Sequence, residues 1–189
     1  MNILLSAGHH ERAQGAEFDG ITEWVIASRW IVKIAQKLSQ AGIMVLVVPS
    51  SGLTSKVNYI NSNNAKLALE LHFNSDTSKK QRGSESLYCP GSSKGKIFAD
   101  IIQQEFVNLN LFQPNRGSKE GWYQMDKPGH IDYKGDIEGD EKVDYFLHKT
   151  NCVAIILEPE FIYNIDIIQN NEDVACKAIA DGIIKFCNK

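Results

Sequence analysis

Two histidines and two glutamates carry the chemistry most readable in this chain: His9, Glu23, His72 and Glu158. Two histidines and one carboxylate are a common protein ligand set for catalytic zinc, with a fourth position left to water. A further carboxylate beside that water can take its proton and hand it to a leaving amine. Each residue alone has a plainer account. A histidine at a strand end is often just a satisfied polar group, and Glu23 suits a helix N-terminus through the macrodipole. Glu158 by itself reads equally well as one end of a salt bridge. The joint pattern is informative only if the fold brings the four together.

The elements that must do so are legible from periodicity. Asn2 to Ser6 is a short apolar run ending at Gly8, the pattern of a buried strand. Trp24, Ile31, Ile34, Ala35 and Leu38 recur at helical spacing, and Gly42 stands where such a helix stops. Ile43 to Val48 predicts a second buried strand, and Thr54 to Ala65 a polar helix. Leu67 to Phe73 and Gly83 to Cys89 predict strands, and Lys96 to Leu109 an amphipathic helix. Asn151 to Leu157 predicts the last strand, and Glu172 to Phe186 the closing helix. This alternation indicates an α/β fold: a single-domain sandwich over residues 1–189, with a mostly parallel central sheet flanked by helices. The stretch from Gly117 to Thr150, rich in Gly, Asp and Lys, reads as a long irregular excursion with a short helix near Val143 to His148.

On this fold, His9, His72 and Glu158 follow or end strands, and Glu23 opens a helix. Strand C-termini and helix N-termini share one edge of a parallel sheet, where ligands bind. All four are therefore expected on one rim.

Bulk properties narrow the partners. The 189 residues carry a formal charge of −3 with no block of Lys or Arg, which argues against a nucleic-acid partner. The strongest basic cluster, Lys79, Lys80 and Arg82, reads as a solvated loop. No apolar run is long enough to span a bilayer, and the N-terminus lacks the features of a signal peptide, so synthesis is expected in the cytoplasm. Cys89, Cys152, Cys176 and Cys187 form no CxxC pair and are expected to be reduced, buried thiols. Gly91 to Lys96 superficially suggests a phosphate loop, but it is a residue short of the pattern and has Ile97 where a magnesium-binding hydroxyl belongs. A turn leading into a helix is the better reading.

Four blocks of sequence carry a family resemblance: Ser6-Ala7-Gly8-His9, Thr22-Glu23-Trp24, Leu71-His72-Phe73-Asn74, and Leu157-Glu158-Pro159-Glu160-Phe161-Ile162-Tyr163-Asn164. In that order they resemble the motifs of the zinc-dependent N-acetylmuramoyl-L-alanine amidases, and Asn115-Arg116-Gly117 is similar to that family's Arg-Gly segment. The resemblance runs from about residue 2 to 187. It implies a peptidoglycan hydrolase that cleaves the amide bond between N-acetylmuramic acid and L-alanine. It further implies that His9, Glu23 and His72 bind zinc, that Glu158 is catalytic, and that Asn74, Asn115 and Arg116 contact substrate. With no secretion signal in view, it suits a phage-type endolysin that acts on the wall after release.

The chain also departs from the family pattern. His10 and Glu11 follow the first histidine where glycines are usual, so His10 is a second candidate ligand. Pro159-Glu160 replaces a small or apolar residue and Gly; if the strand continues, Glu160 shares a face with Glu158 and competes for the role of base. Glu70 shares a face with His72 and is expected to support the site without binding the metal. His130, within the excursion, is a further candidate for substrate contact. Two other functions fit the same residues: a zinc hydrolase of small acylated amino acids or peptides, and a wall-binding protein that has lost the reaction.

Overall fold

The computed structural model describes residues 2–121 and 143–189. In chain order its elements are β1 (Ile3–Ala7), β2 (Glu17–Phe18), β3 (Ile21–Thr22), α1 (Glu23–Gln40), β4 (Val45–Val47), α2 (Leu53–Ser62) and β5 (Leu67–Leu71). They continue with β6 (Glu85–Tyr88), α3 (Ser93–Asn108), β7 (Gly117–Glu120), α4 (Tyr145–Lys149), β8 (Val153–Glu158) and α5 (Ile165–Cys187). The central sheet has the order β4-β1-β5-β8-β6-β7. Its neighbours are parallel except for β6 against β8, so the expected mostly parallel α/β sandwich is the observed one.

Side-chain alternation along the strands divides the core in two. On one face Ile3, Leu5, Leu67, Leu69, Leu71, Ile155 and Leu157 pack beneath α1, α3 and α5, against Trp30, Ile34, Phe98 and Ile179. On the other, Leu4, Ala68, Ala154 and Ile156 pack against Val57 and Ile60 of α2 and Phe146 and Leu147 of α4. These two helices are short and cover only part of their face. Two residues further along the same strands, toward their C-terminal ends, alternation places Ser6, Glu70 and Glu158. Among the described residues, the polar residues of the site therefore occupy the part of the face that α2 and α4 do not cover.

Local signals account for the element ends. Gly42, at φ +77°, closes α1: its N–H bonds to the Ser39 carbonyl and the Ile43 N–H to the Leu38 carbonyl, the paired bonds of a Schellman cap. Ser92 caps α3 by accepting from the Gly95 N–H at 3.0 Å, which makes Gly91 to Lys96 the turn into a helix that the sequence indicates.

Several elements differ from expectation. β7 lies inside the stretch read as irregular; Lys119 and Glu120 are exposed at the sheet edge and are held by pairing with β6 rather than by burial. The expected short helix is present as α4, while residues 122–142, including His130, lie outside the described residues. α5 begins seven residues earlier than predicted, because Ile165 and Ile168 already bury against the core. Of the four cysteines only Cys176 is buried; the others are half-buried, and all are free thiols.

Candidate active site

The first candidate ligand, His9, is positioned by a tight exit from β1. The Gly8 N–H bonds to the Leu71 carbonyl at 2.7 Å, and His9 then adopts a left-handed backbone with φ 60°. Glu23 is brought in by the β2–β3 hairpin, whose return fixes the start of α1: the Glu23 N–H bonds to Ala16 O at 2.9 Å and the Trp24 N–H to Gln14 O at 3.0 Å. His72 is the first residue after β5, pinned through its N–H to Leu157 O at 2.9 Å.

One carboxylate joins the three. Glu23 Oε1 lies 2.8 Å from His72 Nδ1, and Glu23 Oε2 lies 3.0 Å from His9 Nε2. Glu23 Oε1 also accepts the Phe73 N–H at 3.0 Å. One ligand atom from each of His9, Glu23 and His72 falls within 4.8 Å of the others. Burial alone would raise the Glu23 carboxyl, but the hydrogen bonds and positive charge of His72 and His9 outweigh it and hold the group well below the usual carboxylate range. Burial disfavours a charged His72, yet Glu23 and Glu70 together draw its pKa well above the ordinary value. Carboxylates therefore crowd around two imidazoles that meet edge-on with centroids 5.2 Å apart, an environment that fits a divalent cation. The donor set, two nitrogens and a carboxylate oxygen, matches zinc.

Glu158 ends β8 on the wall of a cavity of about 490 Å³, which His9, His10, Lys56, Glu70, His72 and Asp144 also line. Burial pushes the Glu158 carboxyl up to about 7; neighbouring Glu85 and Glu23 add to the shift, and His72 and Arg116 oppose it. Glu85 is its register partner across the antiparallel β6–β8 pair. Burial likewise raises Asp144, the N-cap of α4, to about 6.

The remaining sequence candidates fall around this centre. His10 lines the cavity, and its Nδ1 accepts from the Arg12 N–H at 3.3 Å; it is not part of the three-residue cluster. Glu70 stands behind His72, with Oε2 3.3 Å from Nε2. The strand ends at Glu158, so Glu160 does not continue its face. Instead its Oε1 accepts from the N–H groups of Gly83 and Phe161 and from Asn164 Nδ2, within a fully buried setting. Asn74 Nδ2 donates to Glu85 Oε1 at 2.7 Å, and Arg116 Nε donates to Glu85 Oε2 at 2.9 Å while stacking over Phe161. The Asn115 side chain is engaged with Gln103 O and the Gly117 N–H. Sequence reasoning missed Lys56, Glu85 and Asp144; each acquires its role from partners far away in the chain.

The family model that matches this chain, over residues 3–186, describes N-acetylmuramoyl-L-alanine amidase. The chain belongs to this amidase family. Membership makes the amidase a hydrolase of peptidoglycan amide bonds, the reaction class that the resemblance implies. Solved structures share the fold. The amidase AmiC2 of Nostoc punctiforme matches with a TM-score of 0.80 at 19% identity, covering 100% of this chain and 98% of that one. The catalytic domain of the amidase CwlV from Bacillus (Paenibacillus) polymyxa var. colistinus matches with a TM-score of 0.80 at 18% identity, over 99% and 98%. The catalytic domain of an endolysin targeting Clostridium difficile matches with a TM-score of 0.74 at 20% identity, over 98% and 97%. No curated protein matches the sequence of this amidase significantly. Among the described residues no helix is long and apolar enough to cross a membrane.

Proposed function

We propose that the amidase cleaves the bond between N-acetylmuramic acid and L-alanine with a zinc ion held by His9, Glu23 and His72, and with Glu158 as the proton carrier. The observation that carries this reading is Glu23, whose two oxygens reach one imidazole each, at a cavity whose wall includes Glu158. When bound, the cation supplies Lewis-acid polarisation of the scissile carbonyl and of the attacking water. Glu158 takes a proton from that water. It then gives the proton to the amide nitrogen as the C–N bond breaks, so that a carboxylic acid remains on the sugar and an amine on L-alanine. A carboxyl pushed up to about 7 exchanges protons readily near neutral pH, which suits it to both steps.

Asn74 and Arg116, gathered by Glu85 beside Glu158, are assigned to substrate contact. Asn115 supports the turn that presents Arg116. The family match favours wall hydrolysis over hydrolysis of small acylated amino acids and over binding without turnover.

Glu158→Gln tests the assignment. The variant is expected to keep its zinc content and melting curve while turnover of purified peptidoglycan falls by roughly 10²–10⁴-fold. Turnover close to that of the unmodified protein would remove Glu158 from the reaction.

A further inference from the structure

Behind the metal cluster lies a buried ion pair that the reaction does not use. We propose that Lys56 and Glu70 form an internal clamp that fixes both histidines of the site: Glu70 holds the His72 ring with Nδ1 toward the metal, and Lys56 holds the backbone leading into His9. The inference rests on the metal-site reading above.

The two oxygens of Glu70 are divided between two tasks. Oε1 accepts from Ser6 Oγ at 2.9 Å and from Lys56 Nζ at 3.0 Å, which ties β5 to β1 and α2. Oε2 is left facing His72 Nε2 at 3.3 Å. An imidazole that binds a metal through Nδ1 carries its proton on Nε2, and that N–H needs an acceptor to hold the ring in place. Glu70 Oε2 is positioned as that acceptor. Lys56 Nζ also donates to the carbonyl oxygen of Ala7, two residues before His9. A single ammonium group thus steadies the support of one histidine and the chain entering the other.

Stability alone does not account for the pair. Glu70 is 2% exposed and Lys56 3%. Burying both charges carries a desolvation cost that a well-packed apolar pair of similar volume avoids. A purely structural role predicts that such a replacement is harmless, whereas a clamp predicts a loss at the metal.

The test is zinc affinity, measured by competition with a chromophoric chelator on the full chain. The double variant Lys56→Met/Glu70→Leu is expected to remain folded, with a melting temperature equal to or above that of the unmodified protein, while zinc binding weakens 10–100-fold. Lys56→Met/Glu70→Gln, which returns an acceptor oxygen, is expected to recover part of that loss. A folded double variant with undiminished zinc affinity would overturn the clamp. Nitrogen-15 NMR of the zinc-loaded, unmodified protein gives a readout that needs no variant: His72 is expected to carry its ring proton on Nε2, and a proton on Nδ1 overturns the proposal. If the unmodified protein takes up no zinc, the metal-site reading itself fails, and the clamp with it.

Discussion

Glu23 reaches both imidazoles because glycines stand where side chains would block them. A Cβ on Gly8 would lie 2.5 Å from His72 Nδ1. A Cβ on Gly15, already at φ +77°, would lie 2.4 Å from His9 Cδ2 and 2.6 Å from Glu23 Oε2. Both approaches are too close for real atoms, and at Gly15 the left-handed backbone adds strain of about 1–2 kcal/mol. Gly15→Ala is therefore expected to leave the fold intact but to weaken zinc binding at least tenfold in a chelator competition. Unchanged affinity would contradict this account of the cradle. Glu158 makes a separate, pH-dependent prediction for the metal-free protein. Its folded-state pKa, about 7, lies above the ordinary 4.5, so its contribution to stability is fully present below 4.5 and lost as pH rises through 7. Gln does not titrate. Metal-free Glu158→Gln should thus gain stability relative to the unmodified protein between pH 4.5 and 8, a divergence readable from urea midpoints. Parallel curves across that window would show that Glu158 is not held in its neutral form.

At the scale of elements, α1 both presents Glu23 and anchors to α5. Arg29 Nε donates to both Glu172 oxygens at 2.9 Å, and Lys33 Nζ reaches Glu172 at 2.6 Å and Asp173 at 2.7 Å. Burial opposes the charge on Glu172, but the Arg29 and Lys33 contacts prevail and lower its pKa. Because the folded value is depressed, the benefit is fully present above the unfolded value of 4.5 and is lost as pH falls through the lowered folded value. Solvent reaches the Arg29 side, so Glu172→Gln should cost only about 1 kcal/mol at pH 7. The difference in urea midpoint should shrink as pH falls below 4.5; a difference that keeps its full size in acid would mean packing, not charge, is what α5 gains. Legibility in the sequence follows the same physics. α1 could be read because its apolar stripe is buried and Gly42 ends it. β7 could not, since Lys119 and Glu120 are exposed and the strand is ordered by backbone pairing with β6 and by polar contacts to Glu85 and Gly91, none of which leaves an apolar pattern. The first turns of α5 were hidden because polar Asp166, Gln169, Asn170 and Asn171 surround the short apolar group Ile165, Ile167 and Ile168 and break the stripe before it resumes.

At the scale of the whole molecule, the site follows from how the sheet is covered. Three long helices pack on one face; among the described residues α2 and α4 do not cover the strand C-termini of the other, and that rim collects His9, His72 and Glu158 from β1, β5 and β8. The four principal residues were legible because each ends a strand or opens a helix on one edge, a consequence of parallel topology. Lys56, Glu85 and Asp144 were not, because only the finished fold sets Lys56 against Glu70, Glu85 against Glu158 and Asp144 into the cavity wall. The most direct test of the central claim is mass spectrometry of the soluble products from purified peptidoglycan, with the protein untreated, chelated, and chelated then resupplied with zinc. Free stem peptides beginning at L-alanine should appear, vanish on chelation and return with zinc. Undiminished release in the presence of chelator would contradict the metal-assisted mechanism, and products still joined to the sugar would contradict the bond.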